Sequence, residues 1–171
     1  MTNPLPLMKV STEATLLVVE SETKILAELM FGWRDAGLTV RVVRGQKMRS
    51  VQGLFDEMAA ALQFPYYFGE NWPALSECLR DMDWLPLSQG VVVVILDAGQ
   101  VLADESAVEL ATLATAIVNA SDRYARPIAE GEWWDRAAVA FHVVLQTMPA
   151  DRGVTGARWR EAGARVEPFD A

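Results

Sequence analysis

Covalent or acid–base chemistry needs a nucleophile, a tuned base or a metal-binding set, and these 171 residues hold few of them. His142 is the only histidine and Cys78 the only cysteine. His142 lies inside the apolar run 138–145 (AVAFHVVL), where an imidazole serves a core or a sheet edge more readily than a reaction. Cys78 falls on an apolar helical stripe with no histidine at motif spacing, so no thiolate–imidazole pair is suggested, and a single cysteine excludes an intrachain disulfide. Neither G-x-G-x-x-G nor G-x-x-x-x-G-K-[ST] occurs, and Gly153 with Gly156 is too sparse for a phosphate loop. Without a cluster of His and Cys no metal site is suggested, and no cofactor is expected. Glu70 and Glu77 could be imagined as an acid–base pair, but they share a surface rather than a pocket. An enzyme is the reading with the least support.

The chemistry in good supply is that of a binding surface. Residues 64–79 read FPYYFGENWPALSECL: Phe64, Tyr66, Tyr67 and Phe68 crowd the stretch before Gly69, and an acidic segment follows. Residues 70–83 carry Glu70, Glu77, Asp81 and Asp83 against Arg80 alone, a local charge of −3. Taken by itself, such a charge run is a solvated helix face. Aromatic rings beside it are what a surface needs to displace water and meet a basic patch, although at least one ring is expected to cover the helix end instead. The whole chain shares the bias, with 15 Lys and Arg against 23 Asp and Glu and a net charge of −8 at pH 7. Phosphate contacts need clustered Lys and Arg, so direct nucleic-acid binding is disfavoured and a basic protein is the natural complement.

The elements that must hold these side chains follow from periodicity. Residues 14–19 (ATLLVV) read as a strand, and 22–35 as a helix with Ser21 as N-cap, Ile25, Leu29 and Trp33 as its stripe, and Gly37 as its stop. Residues 38–43 (LTVRVV) predict the next strand. Ser50 opens a helix whose Val51, Leu54, Phe55, Met58 and Leu62 share one face, and Pro65 ends it. Asn71 is an N-cap for a helix to about Met82, with Pro73 in the first turn, where its missing N–H removes no helical bond. Leu75, Cys78, Leu79 and Met82 form its apolar stripe with Trp72 on the same side, so Glu77, about 200° around from Leu75, faces away. Residues 90–96 (GVVVVIL), apolar throughout, predict a strand covered on both faces. A helix over 103–120, a strand over 138–145, a short helix at 157–162 and a strand at 165–169 complete the pattern, while 121–136, with Trp133 and Trp134, carries no assignment. The alternation predicts an α/β fold in one domain, 1–171, with a small mainly parallel sheet of four or five strands covered by helices. The longest aliphatic run is six residues against the ~20 of a helical membrane span, and MTNPLPLMKVSTE at the start lacks the pattern of an export signal. No membrane association and a cytoplasmic location are expected.

On these residues the chain resembles the barstar family, intracellular protein inhibitors of small basic ribonucleases. The resemblance runs through VRGQKMRSVQGLFDEM (43–58) and LQFPYYFGENWPALSECL (62–79), with the aromatic pair before Gly69-Glu70-Asn71, then Ala74-Leu75 and Glu77-Cys78-Leu79, as its signature. It implies three family strands with one or two added, a barstar-like core at 39–147, an added strand and helix at 1–38 and an added segment at 148–171. It also implies that Tyr67 and Phe68 stand at aromatic contact positions, that Gly69 lets the backbone come close, and that Asn71 and Glu77 stand where a contacting asparagine and the key acid are found. Pro73 replaces an acidic contact, Ser76 and Met82 replace tryptophans, Arg80 adds a positive charge, and Asp81 extends the acidic face. The implied function is to block the active site of a basic ribonuclease, an acidic side chain imitating the phosphate that Arg, Lys and His would otherwise hold. The substitutions leave open a second occupant, a different basic toxin or cellular protein met by a barstar-like immunity module. Oligomeric state is left open by the sequence.

Overall fold

Val91–Leu96 is buried almost end to end because the sheet around it is covered on both faces. The computed structural model describes residues 4–87 and 89–169. Residues 1–3 of the N-terminal reading and 170–171 of the expected C-terminal addition lie outside the described residues. Five strands, β1 (Thr15–Glu20), β2 (Thr39–Arg44), β3 (Val91–Leu96), β4 (Phe141–Thr147) and β5 (Arg165–Pro168), pair in parallel in the order β2-β3-β4-β1-β5. The strand from the N-terminal segment is therefore interior, flanked by β4 and β5, as its unbroken Leu16-Leu17-Val18-Val19 run allows.

Parallel neighbours need crossovers, and five α-helices among the described residues supply them: α1 (Thr23–Asp35), α2 (Val51–Leu62), α3 (Trp72–Asp81), α4 (Ala107–Tyr124) and α5 (Arg152–Glu161). Side chains alternate across each strand and divide the core in two. Val91, Val93 and Ile95 of β3 join Phe141, Val143 and Leu145 of β4 under α2, α3, α4 and Trp159 of α5. Val92, Val94, Val40 and Val144 point the other way, under α1 and Leu7. The fold is α/β, a small parallel sheet covered by helices on both faces.

Several expectations shift by a turn or a residue. The buried face of α1 is Leu26, Met30 and Trp33, leaving Ile25 54% exposed, because the sheet contact selects the stripe that brings Trp33 fully inside. Ser21 is not the cap: Glu22 holds that position without a side-chain bond, and Ser21 Oγ donates to Glu22 O. Residues 103–106 do not join α4. Leu102 N donates to Met48 O, Asp104 N to Arg49 O, and the Asp104 carboxylate pairs with Arg49, which ties this stretch to the start of α2. At the other end α4 runs on to Tyr124, β4 occupies 141–147, and α5 begins at Arg152. No described helix is long and apolar enough to cross a membrane.

Candidate functional site

The loop ahead of α3 is shaped by Asn71. Its Oδ1 accepts from Ala74 N at 2.9 Å, capping the helix, and its Nδ2 donates to Gly69 O at 2.9 Å, so the loop end folds back on the helix start. A Cβ at Gly69 would sit 2.9 Å from that same Nδ2, so a larger residue there would push the Asn71 amide off its bond to the residue 69 carbonyl. Glu70 follows in the left-handed region with φ 47°, and its Oε2 accepts from Gln52 Nε2 at 2.9 Å. That bond fastens Glu70 to the first turn of α2 rather than offering it as one half of an acid–base pair.

The crowded rings divide by side. Phe68 is half-buried, edge-to-face with Phe64 at 5.0 Å and Phe55 at 5.9 Å, so it covers the core. Trp72 stands 5.3 Å from Phe55 and donates from Nε1 to Glu109 Oε2 at 2.8 Å. Trp84 packs on Phe64 and donates to Leu62 O. The outward rings are Tyr66, 100% exposed, and Tyr67, 73% exposed, edge-to-face at 5.5 Å. Tyr66 is the residue that sequence reasoning passed over. Its signal was that three consecutive aromatics in a turn cannot share one face.

On α3, Leu75, Cys78 and Leu79 are buried while Glu77, Arg80 and Asp81 are exposed, as the periodicity requires. The helix runs parallel to α4: Trp72 meets Glu109 at their N-terminal ends, and Asp81 and Arg123 share a field at their C-terminal ends. Between them lies an open groove of about 410 Å³, lined by Trp72, Pro73 and Ser76 on one side and by Val108, Thr112 and Thr115 on the other, with no charged lining residue. Desolvation, then Asp83 and Glu77, push the Asp81 carboxyl above the usual carboxylate range. Burial, reinforced by Glu77 and Asp81, pushes the Cys78 thiol up.

His142 is 8% exposed, and its Nε2 donates to Lys9 O at 3.0 Å. Burial holds its pKa below the ordinary value, so the neutral ring pins the N-terminal segment to the sheet. Open parallel sheets bind ligands outside the carboxyl ends of their strands, where neighbouring crossovers diverge. Here that point is between β1 and β4, and Gln146 fills it, Nε2 donating to Ser21 O and Oε1 accepting from Asp97 N, both at 2.8 Å. The turn into α1, Glu20-Ser21-Glu22, contains no glycine, and its Glu20 carboxylate pairs with Arg152 at the start of α5. Among the described residues no group of three or more His, Cys, Asp and Glu is placed to hold a metal ion. Trp133, 86% exposed, and Trp134, 45% exposed, stand on the loop after α4 that had no assignment.

The geometry can be set beside known proteins. The family model described as Barstar (barnase inhibitor) matches residues 38–146. Among curated proteins no match is found. Similar solved structures include Cdc6p from Pyrobaculum aerophilum, 17% identical with a TM-score of 0.50 over 91% of this chain and 38% of that one. Drosophila ORC bound to AT-rich DNA and Cdc6 is 13% identical, TM-score 0.47, over 93% of this chain and 48% of that one. This chain thus spans less than half the length of either, and the likeness to Cdc6p is one of fold alone. The family match takes in β2, α2, α3, β3, α4 and all of β4 but Thr147, including the aromatic loop, and covers well over half of the sequence. The chain belongs to the barstar family.

Proposed function

We propose that this chain is an inhibitor that closes the active site of a small basic ribonuclease with its aromatic loop and α3. The family is one of inhibitor domains rather than enzymes, and it implies a ribonuclease partner. The observation that carries the reading is the two-sidedness of the loop–helix unit: Phe68, Trp72, Leu75 and Leu79 lock its inner side, while Tyr66, Tyr67 and Glu77 face solvent on a chain of net charge −8. A carboxylate on a rigid helix meets the Arg, Lys and His that would hold RNA phosphate, and flanking rings exclude the water that would weaken that contact. Within this surface Glu77 is the anchoring acid and Tyr67 the aromatic contact. Gly69 and Asn71 set the approach of the backbone, Phe68 supports the loop from beneath, and Pro73, Ser76, Arg80 and Asp81 shape the rim. We read 39–147 as the working core, 1–38 and 148–171 as additions that complete the sheet, and the cytoplasm as the place of action.

A second reading keeps the surface and changes its occupant to another basic toxin or cellular protein. The uncharged groove beside Pro73 and Ser76 favours it, since a partner matched to that groove would press an apolar side chain there. One assay serves both readings: the purified chain is tested against a panel of small basic ribonucleases, barnase included, at low and at raised salt. Inhibition of at least one, with association slowed by salt, supports the first reading, because steering between opposite charges is screened. No binding to any of them at low salt rejects ribonuclease inhibition and leaves the second reading.

A further inference from the structure

Residues 126–136 form a loop built to hold two tryptophans in water. Ile128 and Arg136 exchange backbone hydrogen bonds of 2.8 and 3.0 Å, which closes the loop. Inside it the Asp135 carboxylate accepts from Glu130 N and Gly131 N, each at 2.9 Å. The Arg136 guanidinium donates to Arg126 O, Ala137 O and Arg123 O and lies 5.1 Å from the centre of the Tyr124 ring, fastening the loop to the end of α4. Trp134 Nε1 donates to Glu130 Oε2, and the two indoles meet edge-to-face at 5.4 Å. Exposing two indoles opposes the hydrophobic effect, and fixing a loop in order to do so opposes chain entropy as well. Neither expense serves the core, where the Tyr124 ring at the base of the loop is already covered by Phe141 and Arg136. Rigid, outward aromatic rings are what anchor a protein contact.

The chemistry of the contact follows from the neighbours. Glu130 and Glu132 are exposed beside the rings, and indole faces attract cations, Arg above all. The loop also adjoins the C-terminal end of α3, where Arg136 and Arg123 both lie in the field of Asp81. We propose that the Trp133–Trp134 loop is a second contact surface, taking Arg or Lys side chains of the same basic protein that Glu77 meets. For the identity of that occupant the inference rests on the reading above, but its preference for cationic side chains can be measured alone.

The test follows the indole N–H signals of the ¹⁵N-labelled full chain while tetra-arginine amide is added, with a neutral glycine–serine tetrapeptide as control. Saturable shifts of the Trp133 and Trp134 signals are expected, with those of the buried Trp33 and Trp159 unmoved and no response to the neutral peptide. Replacing Glu130→Gln and Glu132→Gln together, which keeps an acceptor for Trp134 Nε1, should weaken the response about threefold to fivefold. Shifts confined to residues around Glu77, with both exposed indoles unmoved, would overturn the second surface and leave the inhibitor reading standing. An equal response to the neutral peptide would overturn it too. A panel in which no nuclease binds removes the inhibitor reading alone, because the indole result does not depend on it.

Discussion

Glu77 and Cys78 are adjacent, yet one meets solvent and the other the core, and that 100° step along a helix explains much of the site. Both fates were legible, because the Leu75, Cys78, Leu79 spacing fixes which side of α3 turns inward. A buried thiol flanked by carboxylates resists ionisation, and the thiolate is the reacting form. At pH 8 an aromatic disulfide reagent should therefore modify the native protein far more slowly than the urea-unfolded chain; equal rates would show that Cys78 is not held as described. Phe68 was the less legible residue. Periodicity has no grip on a turn, where it is packing on Phe64 and Phe55 that draws Phe68 inward and leaves Tyr66 and Tyr67 outside.

At the scale of elements, capping was read correctly where a side chain could reach a backbone N–H and wrongly where it could not. Ser50 and Asn71 accept from Gly53 N and Ala74 N as their helices require. Asn71→Ala loses both that cap and the bond to Gly69 O, so thermal unfolding should report a loss of about 1–2 kcal/mol together with a more mobile aromatic loop. Ser21 failed as a cap because the helix starts at Thr23, which puts Glu22 at the cap position, and the Ser21 hydroxyl donates to Glu22 O. The stripe of α1 was misjudged by one residue, since Ile25, Leu29 and Trp33 fit helical spacing as well as Leu26, Met30 and Trp33 do. Which stripe wins depends on the sheet beneath, information that lies far away in the chain. The ladder between β2 and α2 supplies another element-scale test. Glu57 accepts from Arg44 N, Nε and Nη2 at 2.7–3.0 Å, and these bonds hold its carboxyl below the usual range. A lowered folded pKa means that the pair's contribution is present above the unfolded carboxyl value and lost as pH falls through the folded one. Glu57→Gln should be less stable than the parent by about 1–3 kcal/mol at pH 7, and the two curves should converge in acid.

For the whole molecule, the alternation of strands and helices was enough to infer an α/β fold, but not the position of β1 in the middle of the sheet. Strand order is set by which crossover packs on which face, and no local pattern encodes it. Its consequence is that β3 is apolar at every position because α1 and Leu7 cover the face that α2, α3 and α4 leave open. Trp33→Ala should accordingly cost about 3–5 kcal/mol, read by denaturant unfolding, although it lies across the sheet from the loop–helix surface. That separation also supplies the control for the central claim. Glu28 is an exposed acid on α1, whereas Glu77 is an exposed acid on α3, so replacing either removes one negative charge and nothing from the core. The most direct measurement is inhibition of the small basic ribonuclease that responds best in the panel, by the parent chain, Glu77→Ala and Glu28→Ala, at low salt. The account predicts that Glu77→Ala weakens inhibition by at least about tenfold while Glu28→Ala stays close to the parent and all three unfold at similar temperatures. Equal losses for the two variants would contradict it, since net charge rather than a carboxylate held on α3 would then be what the nuclease recognises.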